Sequence, residues 1–197
     1  MKKLGIMGGT FNPVHNAHLL IAETAREQYG LERVIFVTDG NPPHKHSDIS
    51  AEKRFYMTHL AISSNEYFED DNFEVKKTEK SYSVYMLEYL KKKYPDYELF
   101  FIIGEDSLRD LPSWYMPEKL LEMCTLLVFP RTSVKSLEAA ISDMNKKFGK
   151  TILPIASPVI QISSTAVRKR IEQGKSVRYM VPDAVIEYIK ENRLYEK

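Results

Sequence analysis

Residues 8–18 read Gly-Gly-Thr-Phe-Asn-Pro-Val-His-Asn-Ala-His, between a short apolar run at 4–7 and the start of a helical pattern. That order of parts constrains the chain to a strand ending in a glycine-rich turn that opens into a helix. Paired glycines let backbone N–H groups approach a ligand with no Cβ in the way, and the helix directs its positive end at the same spot. The junction favours an anion. His15 and His18, three residues apart at a helix start, can face one way and aim donors at oxygens that gain charge during phosphoryl or nucleotidyl transfer. A simple turn, a structural pair or a metal-binding pair would use the same residues. Walker A spacing is absent, and Gly5, Gly8 and Gly9 do not form G-x-G-x-x-G. Both facts argue against a P-loop kinase and a simple NAD-dependent dehydrogenase.

Non-alternating apolar runs at 3–7, 34–37, 99–103, 126–129 and 152–155 have the character of strands buried on both faces. Between them, residues 19–29, 51–64, 84–94, 117–123 and 134–148 have helix length. The alternation predicts a Rossmann-like α/β fold: a doubly wound, mostly parallel sheet with helices on both faces. Two further helical patterns, 165–172 and 182–192, form a small C-terminal segment expected to pack at the sheet edge. Ligands in such sheets bind beyond the carboxyl ends of the strands. Gly8-Gly9, the 40–45 segment, Gly104-Glu105-Asp106 and Pro130-Arg131 each follow a predicted strand, which points to one shared site.

With 197 residues, 43% hydrophobic and 28% charged, and no polar linker or repeat, the chain is expected to form a single domain over 1–197. A net charge of +1 supplies no global field for nucleic acid or an anionic membrane. No apolar run approaches a membrane span, so the expected compartment is the cytoplasm. The single cysteine, Cys124, sits beside an apolar run and reads as a small buried hydrophobe.

Residues 8–18 resemble the GTFDPxHxGH signature of the nucleotidyltransferases, and residues 162–168, Ile-Ser-Ser-Thr-Ala-Val-Arg, resemble that superfamily's ISSTxIR signature. More narrowly, the chain resembles the nicotinate-mononucleotide adenylyltransferase family along nearly its whole length. The matching pieces are Pro42-Pro43-His44-Lys45, Ser81-Tyr82-Ser83, residues 102–106, Trp114-Tyr115 and the tail from Val181-Pro182 to Leu194-Tyr195. The resemblance implies transfer of AMP from ATP to nicotinate mononucleotide, with Mg²⁺ accompanying ATP and no metal ligand assigned to the protein. It implies that Gly8, Gly9, Thr10 and Phe11 cradle the triphosphate and that His18, His15 and Arg168 act on the reacting phosphates. Ser163, Ser164 and Thr165 would hold ATP phosphates, although as helix caps they need no ligand. Asp106, after Gly104, would take a ribose hydroxyl, and Arg131 would approach the adenine, with a surface arginine as an equal reading. His44 and Lys45 would meet the mononucleotide phosphate, and Ser83, Trp114 and Tyr115 would surround the nicotinate. Oligomeric state is left open, a homodimer included.

Four positions depart from the family pattern: Asn12 for Asp, Ala17 for Gly, Glu105 for a small residue, and Tyr85 for Asp. Asn12 keeps an oxygen but loses charge, which weakens any role in binding Mg²⁺ there. Tyr85 bears on the shape of the mononucleotide pocket. The nearest alternative is an adenylyl- or cytidylyltransferase for another substrate, such as nicotinamide mononucleotide or phosphopantetheine; from a different class, the alternative is a nucleotide sensor without activity. Retention of both histidines and Arg168 speaks against the sensor.

Overall fold

In the computed structural model, which describes residues 1–42, 47–131 and 133–196, six strands form one all-parallel sheet. They are β1 (Lys2–Gly9), β2 (Arg33–Thr38), β3 (Phe68–Asp71), β4 (Tyr97–Gly104), β5 (Cys124–Phe129) and β6 (Ile152–Pro154), in the order β3-β2-β1-β4-β5-β6. The chain winds outward from β1 to β3, then returns to place β4 on the other side of β1. The loops after β1 and β4 therefore diverge to opposite faces and leave a crevice between them.

The apolar runs are explained by two cores. Val34, Phe36, Phe100, Ile102, Leu127 and Phe129 point to one face; Ile35, Val37, Leu99, Phe101, Ile103, Leu126 and Val128 point to the other. A strand covered on both sides cannot alternate apolar with polar. The first core is covered by α1 (Asn16–Tyr29), α2 (Ala51–Ile62), α7 (Ser164–Glu172) and α8 (Asp183–Glu191); the second by α3 (Ser83–Lys93), α4 (Glu105–Asp110), α5 (Pro117–Met123) and α6 (Val134–Phe148).

The C-terminal helices add to the first core: Val167, Val185 and Ile189 are buried in the same cluster as residues of α1 and α2. Two expectations change. β3 was not foreseen, because Phe-Glu-Asp-Asp carries little strand signal; Asp71 is tolerated there because Lys93 Nζ lies 2.7 Å from its Oδ2. Helix α1 begins at Asn16, three residues before the apolar periodicity does. Cys124 opens β5, and burial pushes its thiol pKa up to about 12, so it stays protonated and inert.

Candidate active site

At the carboxyl ends of β1 and β4 lies a cavity of 1130 Å³. Gly8, Gly9, Thr10, Phe11, His15, His18, Gly104, Arg131, Ser163, Ser164, Thr165, Arg168, Ser83, Trp114 and Tyr115 all line it, so segments from opposite ends of the sequence share one wall. Asp106 is not part of that lining; it is exposed and pairs with Arg131 Nε at 3.6 Å. His44 and Lys45 lie outside the described residues.

The glycine pair works differently from a simple turn. Gly8 and Gly9 belong to β1 and neither has positive φ; the left-handed residue is Phe11, at φ 46°. The glycines are needed for space: a Cβ on Gly9 would come within 3.0 Å of the Phe11 ring, and one on Gly8 within 3.3 Å of Phe101. Left-handed backbone costs a side-chain-bearing residue about 1–2 kcal/mol. Burial of the Phe11 ring offsets this, and the ring's edge-on contact with His18 at 5.1 Å makes it part of the site.

His15 is the N-cap of α1 and His18 is its third residue. The His15 backbone N–H donates to His18 Nδ1 at 3.2 Å, so Nδ1 must be an acceptor and the ring's proton sits on Nε2. The two rings stack at 3.7 Å. His15 is only 4% exposed, and burial, aided by the Arg131 charge, lowers its pKa to about 4. It is therefore neutral at pH 7 and its Nδ1 is buried without a partner. His15 therefore brings no positive charge to the pair at pH 7.

The 10–16 loop is gripped from three directions. From α2, the buried Arg54 donates to the carbonyls of Thr10 (2.6 Å), Asp39 (2.7 Å) and Gly40 (3.1 Å). From α7, Arg168 Nη1 donates to the Asn12 carbonyl (2.8 Å) and Ser164 Oγ to the Pro13 carbonyl (2.8 Å). From the C-terminal segment, Tyr195 Oη donates to Asn12 Oδ1 (2.6 Å), while Met180 and Tyr179 carbonyls accept from Asn16 N (2.9 Å) and Nδ2 (2.7 Å). Ser163 Oγ caps α7 by accepting from Ala166 N, as its residue type suggested. Arg168 lines the cavity; Arg170 turns away to the Ser176 carbonyl.

On the β4–β5 side, Glu105 is buried and accepts from Ser136 Oγ (2.5 Å), Arg109 Nη2 (2.8 Å) and Arg131 N (3.2 Å). Burial alone would raise its pKa, but these donors hold it at about 2. The carboxylate that departs from the family pattern thus fixes the backbone of Arg131. On the β2–α3 side, Ser83 begins α3, whose first N–H groups have no partner within the helix. Tyr82, Tyr85 and Tyr115 cluster there, with Tyr82 and Tyr115 rings at 4.8 Å and the Tyr85 and Tyr115 hydroxyls at 3.4 Å. Tyr85 is exposed and stands beside the cavity-lining Tyr82 and Tyr115 without lining the cavity itself.

Sequence reasoning missed Arg54, Asp39, Lys80 and Tyr82, of which the last three line the cavity. Only their nearness to strand ends or to the Ser81-Tyr82-Ser83 match could have flagged Asp39, Lys80 and Tyr82; Arg54 carries no such signal. Among the described residues, no three His, Cys, Asp or Glu converge as a metal site. No described helix is long and apolar enough to cross a membrane.

The chain matches the Cytidylyltransferase-like family over residues 6–170. A probable nicotinate-nucleotide adenylyltransferase from Caldicellulosiruptor bescii is 41% identical, across 99% of this chain and 100% of the relative. One of the same description from Synechococcus is 39% identical, across 98% and 95%. In three dimensions, Plasmodium falciparum nicotinic acid mononucleotide adenylyltransferase complexed with NaAD superposes with a TM-score of 0.81 at 22% identity, across 99% and 98% of the two chains, and shares the fold. With such identity along its length and both signatures on one cavity wall, the chain belongs to the nicotinate-nucleotide adenylyltransferase family of cytidylyltransferase-like enzymes.

Proposed function

We propose that the chain, acting as one nucleotidyltransferase domain over 1–197, transfers AMP from ATP to nicotinate mononucleotide, giving nicotinate adenine dinucleotide and pyrophosphate in NAD biosynthesis. The observation that carries this reading is the bond from His15 N–H to His18 Nδ1 at the mouth of β1, which makes His18 an Nε2–H donor in the cavity wall. Its partners are two small molecules in the cytoplasm. Mg²⁺ brought with ATP would supply charge neutralisation at its phosphates.

The nucleophile is an oxygen of the mononucleotide's phosphate, ionised at neutral pH, so no protein nucleophile or strong base is required. It bonds to the α-phosphorus of ATP as the bond to the oxygen bridging to the β-phosphate breaks, and pyrophosphate leaves. The protein's task is to position and to stabilise charge. His18 Nε2–H donates to a phosphate oxygen, and Arg168 offers a planar fork to the departing pyrophosphate. Backbone N–H groups at residues 8–11, where β1 ends, hold the triphosphate, with Ser163, Ser164 and Thr165 opposite. Ser83, Trp114 and Tyr115 hold the nicotinate. A coupled pyrophosphate assay with ATP and single mononucleotides tests this: release requires ATP together with nicotinate mononucleotide, and its absence refutes the reading.

A further inference from the structure

The end of the chain reaches back to the loop that opens it. Leu194 is anchored in the core at 4% exposure, and the backbone on either side turns through two left-handed residues, Arg193 (φ 48°) and Tyr195 (φ 64°). Such backbone is retained only where the surroundings hold it. Here the result is that Tyr195 Oη donates to Asn12 Oδ1 at 2.6 Å across 183 positions of sequence. The same Asn12 presents its carbonyl to Arg168 Nη1 at 2.8 Å, and both Asn12 and Arg168 line the cavity.

We infer that Tyr195 is a positioning residue of the adenylyl-transfer site: by fixing Asn12 it holds the carbonyl that orients the Arg168 guanidinium. The inference rests on the proposed role of Arg168 toward the ATP phosphates. Without the hydroxyl, the Asn12 amide is free to rotate into the cavity, where it competes with the phosphates for Arg168 and loosens the 10–16 loop. The phenol is suited to the task because it is rigid and carries one donor at a fixed reach. It also explains why Asn12 serves in place of a carboxylate: the contact needs only an acceptor oxygen.

The test compares Tyr195→Phe, Arg168→Ala and the double variant, measuring pyrophosphate release with ATP and nicotinate mononucleotide varied separately, alongside thermal melting. Tyr195→Phe keeps the ring and its packing. It should lower kcat/KM for ATP by about 5- to 30-fold, the effect of a lost buried hydrogen bond felt through orientation, with KM for the mononucleotide and the melting temperature near wild type. In the Arg168→Ala background it should cost nothing further for ATP, because its effect passes through that arginine. If Arg168→Ala is defective toward ATP while Tyr195→Phe is not, the inference is wrong. It is equally overturned if Tyr195→Phe harms both substrates alike together with the melting temperature, since that is a structural role. If Arg168→Ala keeps wild-type ATP parameters, the site assignment fails first and takes this inference with it.

Discussion

Replacing Arg54 by Met should damage both stability and catalysis, although no atom of Arg54 lines the cavity. The side chain is 2% exposed and donates to four carbonyls, those of Thr10, Asp39 and Gly40 and, through Nε at 3.2 Å, that of Ile49. Methionine fills similar volume but leaves all four without this donor. At about 1 kcal/mol for each deprived acceptor, the loss is about 4 kcal/mol. Part of this is returned, because a guanidinium no longer has to be buried, which leaves about 2–4 kcal/mol. In a chain of this size that corresponds to a fall in melting temperature of roughly 5–15 °C. Two of the released segments, at Thr10 and at Asp39, form cavity wall, so kcat should fall on the order of tenfold as the triphosphate cradle loosens. Arg54→Lys should be intermediate, since an ammonium keeps the charge but cannot span carbonyls on separate segments as a planar fork does. Urea unfolding with the coupled pyrophosphate assay measures both effects. A methionine variant within about 0.5 kcal/mol of wild type and with full activity would refute this account of how the loop is held.

His18→Ala should leave circular dichroism unchanged and lower kcat by roughly 10²–10⁴, as for loss of a positioned donor at developing charge; near-normal turnover removes it from the mechanism. His15, held at about pKa 4 against an ordinary 6.5, takes up no proton in the folded state over a range where the unfolded chain does. Its contribution to stability is thus complete above pH 6.5 and is lost as pH falls toward 4, by about 3 kcal/mol; His15→Asn should flatten that slope in urea unfolding, and an unchanged slope contradicts the assignment. Glu105→Gln should raise KM for ATP by about 3- to 10-fold through the freed Arg131 backbone while sparing the mononucleotide, and equal effects on both would separate Glu105 from the adenine side. Nicotinate mononucleotide should be preferred over the nicotinamide form on the order of 10² in kcat/KM, because N–H groups at the start of α3 would meet an amide's donors instead of a carboxylate; comparable values refute the carboxylate cradle but leave adenylyl transfer intact.

Much of this protein is legible before folding. Non-alternating apolar runs announce strands covered on both faces, and the helical lengths between them imply parallel connections, because burial on two sides leaves no room for polar residues. The paired glycines with the histidines after them and the Ser-Ser-Thr-x-x-Arg segment fall on one cavity, because close approach and helix starts require those residue types locally. What the chain could not reveal depends on groups distant in sequence. The acidic β3 becomes a strand only because β2 pairs with it and Lys93 neutralises Asp71. The left-handed turn falls on Phe11 rather than on a glycine because the core accepts its ring. Arg54 looks like one more charge on an amphipathic helix until the loops after β1 and β2 converge on it, and Tyr195 gains its role only when the C-terminal segment folds onto the first core. Local patterns set which elements form and which residues suit an anion; only the tertiary fold decides which buried donors hold them there, since a hydrogen bond across 183 positions leaves no periodicity for a sequence to display.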